Sequence, residues 1–584
     1  MTRQHQTPAP ATDPQALLAL EKTDPRRAEA LWHGLSRNQR LRVVLAARGA
    51  DRERLITLAA DSRELTRALP PDEFAGSVLA MGADQAGELL ALSSDEQLTY
   101  LLDLTGWVKE RFAPTRYQAW LPLLLQAGHE RVRRWLASTD LEVLALLFAH
   151  WFEVVKYLPS SDEQEPPDDL PSFTLDGVYY LRFRDEKISS LVAQVLVILK
   201  SELPDLFSRV LETMIWESPA QLSEYASRWR SGRLADHGFP SRLEALELWA
   251  APSEGEVDWA AMEPKLTQGF PENPTPRSDQ FLETLGADCT LPRVTGEMSQ
   301  AEADALRFEL VYIANAAVVA LDADPANPDQ VRRAAREGMG LVNLGLEIVA
   351  GTDRGAAGQV LRRVGLAALA RQGAAAVRRL NQRAWRLLKE GWLAGLPTGL
   401  HLLDDPLDHW LAGLVFPRPR CYDPGLGQTR QYRPFLSTAD LKRAEAALAE
   451  AEYLGRLVFD LMGLDRLAVA EMLAARAVQD EANPVKLGQV IATWLAARAL
   501  GRNETGPLPA ADFKPAVAAL QQALAGTLRR ELLESCAALE DPQEAEMAGR
   551  LMNRVIQNME LDLGRLDLEA DLDPELVGLI LVQP

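Results

Sequence analysis

Between residues 69 and 104 the chain reads LPPDEFAGSVLAMGADQAGELLALSSDEQLTYLLDL, and its apolar positions recur in near-identical units. Each unit has an apolar anchor (Leu69, Met81, Leu92), a small or proline-containing turn with an acid, and an apolar doublet (Val78-Leu79, Leu89-Leu90, Leu101-Leu102). Upstream, the same rhythm gives anchors at Leu58, Ala47 and Leu35 and doublets at Leu55-Ile56 and Val43-Val44; it fails at Arg67-Ala68. A period of about eleven residues is compatible with one long helix carrying a straight apolar stripe. However, Pro70, Pro71, Gly82 and Gly49 fall between the apolar blocks. A proline inside a helix costs about 3 kcal/mol, so the pattern predicts a string of two-turn helices instead. Such helices are marginal alone and must bury their one apolar face on neighbours, as stacked repeats do.

The pattern predicts further amphipathic helices over 107–160, including DLEVLALLFAHWFEVVKYL. After the acidic loop SSDEQEPPDDLP, the stretch SFTLDGVYYLRF places Asp176-Gly177 between two β-prone runs, which predicts a small hairpin near 172–183. A hairpin is marginal in isolation and should lie against helices. Helix starts are marked by Ser241 with Glu244 three residues on, by Asn327 before Pro328, by Ser437, and by Asp541 before Pro542. Residues 251–298 are rich in proline and acids and weak in periodicity. The expected organisation is therefore a disordered tail (1–15), a helical-repeat domain (16–160), and a hairpin with helices packed on it (161–250). A linker or wrap (251–298) and a C-terminal helical domain (299–584) follow. The expected fold class is all-α: an N-terminal array of short stacked helices and a C-terminal bundle, with the one hairpin.

At 584 residues the chain exceeds what a single core supports. Apolar residues at 47% and charged residues at 25% are ordinary for a globular protein. Cys289, Cys421 and Cys536 stand far apart, outside any CxxC pair, which fits a reducing compartment and neither a disulfide framework nor a zinc knuckle. The start MTRQHQTPAPATDPQ lacks the apolar core of a signal peptide. The longest nearly apolar run, Leu310 to Leu321, contains Asn315 and is too short to span a bilayer. These features lead to the expectation of a cytoplasmic protein without membrane insertion. A net charge of −21 opposes general binding to nucleic acid or anionic lipid.

Three stretches could carry chemistry. In HLLDDPLDHW, His401, Asp405 and His409 recur every fourth residue, and imidazole with carboxylate suits a transition metal or a metal-dependent hydrolase. Pro406 interrupts that helix and should put the two histidines on separate segments, with Asp404 or Asp405 capping the second. The acidic run containing Asp567, Glu569 and Asp571 resembles the opening of a calcium loop, but Leu572 and Gly578 stand where glycine and a bidentate glutamate are required. The third stretch is basic. From Arg354 to Lys389 there are nine cations (Arg354, Arg362, Arg363, Arg371, Arg378, Arg379, Arg383, Arg386, Lys389) and no acid. The loop PRPRCYDPGLGQTRQYRPF adds Arg418, Arg420, Arg430 and Arg433 with Tyr422, Tyr432 and Phe435 interleaved. Concentrated arginine can receive an acidic protein, a phosphate-bearing ligand or single-stranded nucleic acid, or can pair within the chain. No phosphate loop, GxSxG elbow or HExxH appears, and no cofactor is implied. Cys421 lies near His401 and His409 in sequence, which suggests a thiol nucleophile, but sequence proximity does not make a dyad.

Residues 35–104, on the motif LPPDEF…LL, resemble the helical-repeat N-terminal domain of MgtE-type magnesium transporters, whose other domains have no counterpart here. In order, LDGVYYLRF, RLADHGFPSRLEAL, LARQGAAAVRRLNQRAWRL and YRPFLSTADL resemble an uncharacterised bacterial family of long helical proteins, a domain of unknown function. That resemblance implies the architecture and brings no activity, cofactor or catalytic residue. The expected role is a non-enzymatic scaffold or protein-interaction protein, contacting its partner through Arg378, Arg379, Arg383, Arg386, Arg418, Arg420, Arg430 and Arg433. The alternatives are a metal-dependent hydrolase built on His401, Asp405 and His409, and a phosphate or nucleic-acid binder using the 354–435 region.

Overall fold

The computed structural model describes residues 13–47, 49–82, 85–158, 169–250, 278–427, 431–477, 484–503, 505–566 and 578–583. The expected tail up to residue 12, residues 251–277 of the expected linker, Arg430 and the acidic run 567–577 lie outside the described residues. Among those described, the chain is helical with only short antiparallel strands, as the periodicity predicts. It forms two compact units: Met1–Ala250 with Glu256–Val342 and Val349–Ala370, and Ala251–Gly255 with Asn343–Ile348 and Arg371–Pro584.

The first unit contains the repeats as short helices Arg37–Ala46, Gly49–Thr57, Ser62–Ala68, Pro71–Met81, Gly87–Leu92 and Asp95–Thr105. Pro71 opens one helix and Gly82, at φ 86°, ends it, so the punctuation read from sequence acts as expected. The doublets are the buried positions: Val44, Leu55, Ile56, Val78, Leu90 and Leu101 have no exposed surface. Where the rhythm fails at Arg67-Ala68, the helix Ser62–Ala68 buries Leu65 and Thr66 instead, a slip of two residues. Polar ties hold neighbouring repeats in register. Arg52 lies fully inside, its Nη1 2.6 Å from Glu73 Oε2 and 2.9 Å from Ser77 Oγ.

The hairpin near 172–183 is present. Phe173–Thr174 pairs antiparallel with Tyr179–Phe183, and Asp176 Oδ1 accepts the backbone N–H groups of Val178 and Tyr179 across the turn at Gly177, φ 72°. A third strand was not foreseen. Residues 152–156, expected to be helical, are extended and pair with Tyr179–Phe183 in the register Phe152↔Phe183 and Val154↔Leu181. Phe152 and Val154 turn inward while Glu153 and Val155 are exposed, a period-two alternation hidden behind the helical run that precedes it. A second departure from helix in 107–160 is the small hairpin Trp107–Val108 with Arg111–Phe112.

The second unit is a helical bundle. Leu407–Val415, Thr438–Gly455, Leu487–Ala499, Phe513–Ala525 and Pro542–Leu563 pack Leu411, Leu448, Ile491, Leu495, Phe513 and Ile556 into one core. The Asp541 cap beside Pro542 forms as read from sequence. Among the described residues, no helix is long and apolar enough to cross a membrane.

Candidate functional site

The helix Leu366–Lys389 carries most of the basic run. At about 100° per residue, Arg371, Arg378, Gln382, Trp385 and Lys389 form one stripe, and Arg379 and Arg386 form the row beside it. Arg379, Gln382, Arg386 and Lys389 are exposed, and the Lys389 Nζ lies 4.9 Å from the centroid of the half-exposed Trp385 ring. Among the described residues, Arg378, Arg379 and Arg386 meet no carboxylate. The row's far edge is different, because Arg383 Nη2 meets Glu452 Oε2 at 2.5 Å, with Glu445 3.8 Å away. Arg354 and Arg362 likewise meet Glu297 and Glu302 at 2.7 Å each.

The loop arginines also separate by partner. Arg433 sits in the short strand pair Cys421–Tyr422 with Tyr432–Arg433, its Nε 2.6 Å from Asp423 and its two Nη atoms 2.7 and 2.8 Å from Asp440. Asp440 is buried, which on its own would raise its pKa. The Arg433 guanidinium, the Leu436 N–H and Arg443 outweigh that and hold the carboxyl below the ordinary range. Arg418 and Arg420 are half-buried. Of the eight arginines expected to contact a partner, the structure thus leaves Arg378, Arg379 and Arg386 presented together and commits Arg383 and Arg433 to internal carboxylates. Trp385 and Gln382, which complete the face, belong to the same 3.6-residue pattern and were legible from it.

The HLLDDPLDHW stretch breaks where Pro406 requires. His401 lies exposed on a 3-10 turn, Gly399–Leu402, and His409 on the helix Leu407–Val415, whose N-cap is Pro406 itself without a side-chain bond from Asp404 or Asp405. The Asp405–Pro406 peptide is cis. Asp405, Asp408 and His409 each bring one ligand-type atom to within 4.8 Å of the others; His401 is outside that group. Asp408 Oδ2 accepts from Lys486 Nζ at 2.6 Å and Oδ1 from the His409 N–H at 2.7 Å. Burial alone would push Asp408 up, but Lys486 leaves it below the ordinary carboxylate value, while burial and the neighbouring Asp408 raise Asp405. Asp404 is half-buried apart from these, accepting the Gly488 N–H at 2.9 Å, and is pushed up to about 6 mainly by desolvation. Lys486 could not have been found from sequence, since the fold brings it from another helix start. The Cys421 thiol is buried and pushed up to about 12, so it is not poised as a nucleophile.

The first unit holds a cleft of about 850 Å³ lined by Tyr100, His237, Phe239 and Phe308. Burial depresses the pKa of His237, whose ring lies 4.5 Å from that of Tyr100, favouring the neutral imidazole. The Arg52 guanidinium at its wall is already saturated by Glu73, Ser77 and backbone carbonyls.

Comparison with known proteins identifies one relationship. Residues 29–583 match the model of a family described as "Family of unknown function (DUF6178)". No curated protein and no solved structure matches the chain. The resemblance of residues 35–104 to MgtE-type transporters gains no support from these comparisons.

Proposed function

We propose that this chain, which belongs to the DUF6178 family of unknown function, is a helical interaction protein that receives an acidic segment of another protein on the exposed face of the helix Leu366–Lys389. One observation carries this reading: three arginines, Arg378, Arg379 and Arg386, stand together with Lys389 and Trp385 and, among the described residues, form no ion pair with a carboxylate, in a chain whose net charge is −21. Elsewhere in the same basic run Arg354, Arg362 and Arg383 are paired with glutamates, so the contrast singles out this face. Arginine and tryptophan are enriched where interfaces concentrate their energy. A nucleic-acid partner is less well served, because the overall acidic charge repels a phosphate backbone. A cytoplasmic setting agrees with the three cysteines, which are buried and outside any disulfide.

The test is site-specific photo-crosslinking from Gln382 in cells that naturally make the protein. The expected adduct is a protein joined through an acidic segment, and its yield falls by about tenfold when Arg378, Arg379 and Arg386 are all changed to Glu. Adducts confined to nucleic acid, or a yield indifferent to the charge reversal, would remove the reading.

A further inference from the structure

We propose that Asp405, Asp408 and His409 form a binding site for a borderline divalent transition-metal ion of the zinc or cobalt kind. The inference is independent of the interaction surface proposed above. Two carboxylates and one imidazole are contributed by a single five-residue stretch, with ligand atoms within 4.8 Å of one another. That donor set combines the hard oxygen ligands that any divalent cation accepts with the nitrogen ligand that zinc and cobalt prefer over magnesium or calcium.

The imidazole distinguishes this group from an ordinary acidic surface cluster, because its orientation is fixed from outside the cluster. The His409 ring stacks on Tyr422 with centroids 5.1 Å apart and an 11° angle between planes. Its Nδ1 lies 3.4 Å from the Tyr432 hydroxyl, which leaves Nε2 directed at the carboxylates, 3.9 Å from Asp405 Oδ1. Holding the second ring nitrogen with a hydrogen-bonding partner is the usual means by which proteins aim a metal-binding histidine. Asp408 is equally fixed, by Lys486 and by the His409 N–H. Asp405 is exposed, which gives the ion an entry route and leaves coordination positions for water.

Lys486 opposes a cation here by its charge, and its geometry explains how both can be accommodated. Its ammonium is anchored a second time, on the Leu403 carbonyl at 2.9 Å, so it need not move. Each carboxylate oxygen has two lone pairs, so Asp408 can keep Lys486 and still ligate.

The experiment titrates the full chain with Co²⁺ alone, followed by visible absorption, and with Zn²⁺ by competition against a chelating dye. One equivalent should bind, with a cobalt band that reports nitrogen ligation. His409→Ala and Asp405→Asn should each weaken binding by about tenfold or more with the melting curve retained, and His401→Ala should leave it within about twofold. Asp405→Asn is the safer variant for folding, since Asp405 is the exposed member. Failure to bind either ion, binding of Mg²⁺ only, or binding unchanged in both His409→Ala and Asp405→Asn would overturn the proposal.

Discussion

Gly455 closes the helix Thr438–Gly455 directly against Trp392; a Cβ built there would stand 2.2 Å from the Trp392 Cγ and 2.6 Å from its Cβ. Those ring-root atoms cannot swing aside, and the indole is held by its bond to the Ala451 carbonyl at 2.8 Å. Gly455→Ala should therefore destabilise by about 1–3 kcal/mol, as overpacking does, measured by urea denaturation. Gly549 supplies the contrast, being helical with nothing within 4 Å of a built Cβ, so Gly549→Ala should be neutral or stabilising by up to about 1 kcal/mol. At Asp440 the issue is charge. Asp440→Asn leaves Arg433 short of its main counter-ion in a buried setting and should cost about 3–5 kcal/mol at neutral pH. Its folded-state pKa lies below the unfolded one, so on acidification the unfolded chain takes up the proton first. The carboxylate's contribution is thus intact above the ordinary aspartate value near about 4 and fades as pH falls through the folded value. The gap between wild type and Asp440→Asn should narrow in denaturation curves taken below that value. The pair was not legible in the sequence, because nothing links Arg433 in its loop to Asp440 in the first turn of the next helix until the strand pair Cys421–Tyr422 with Tyr432–Arg433 turns the guanidinium inward.

Among whole elements, the repeats were the most legible because their signal is redundant: spacing, doublet and breaker agree except at Arg67-Ala68, and the buried doublets follow them. The slip to Leu65 and Thr66 was not legible, since it depends on how one short helix settles between two others. The strand Phe152–Lys156 was missed for a related reason, as the same residues can extend a helix until a partner strand satisfies their backbone. Capping can test how far the array behaves as linked short helices. Ser94 accepts the Gln97 N–H at 3.1 Å, and the buried Gln97 side chain donates to the Thr66 and Leu69 carbonyls at 2.7 Å each. Ser94→Ala should cost about 1 kcal/mol, the usual value of a lost cap. Gln97→Leu should cost about 1–3 kcal/mol, since it orphans two carbonyls on the neighbouring repeat. If the helices stack as a cooperative set, Gln97→Leu should speed amide exchange around residues 62–69 as well as in the helix Asp95–Thr105. Faster exchange confined to the mutated helix would mean that each short helix stands more independently than its length suggests.

At the scale of the molecule, charge is distributed so that cations of one sequence run have two fates. Arg433 is paired and largely buried, whereas Arg379 and Arg386 are exposed and, among the described residues, meet no carboxylate. From the sequence these arginines are indistinguishable, since the acids that separate them enter from other helices or from across a strand pair. A stability measurement can separate the two classes without knowing any partner. Exposed substitutions away from caps and networks usually change stability by within about 0.5 kcal/mol, whereas removing one member of a buried pair costs about 3–5 kcal/mol. The double variant Arg379→Glu with Arg386→Glu should accordingly melt with the wild type, even though it cancels the net charge of the four cations on the face and adds four negative units to a chain already at −21. Arg433→Ala should melt well below it. A wild-type-like Arg433→Ala would show that the pairs with Asp423 and Asp440 are not holding the loop. A strongly destabilised double variant would show that Arg379 and Arg386 serve the fold, and the face would then keep only Arg378 and Lys389 for a partner.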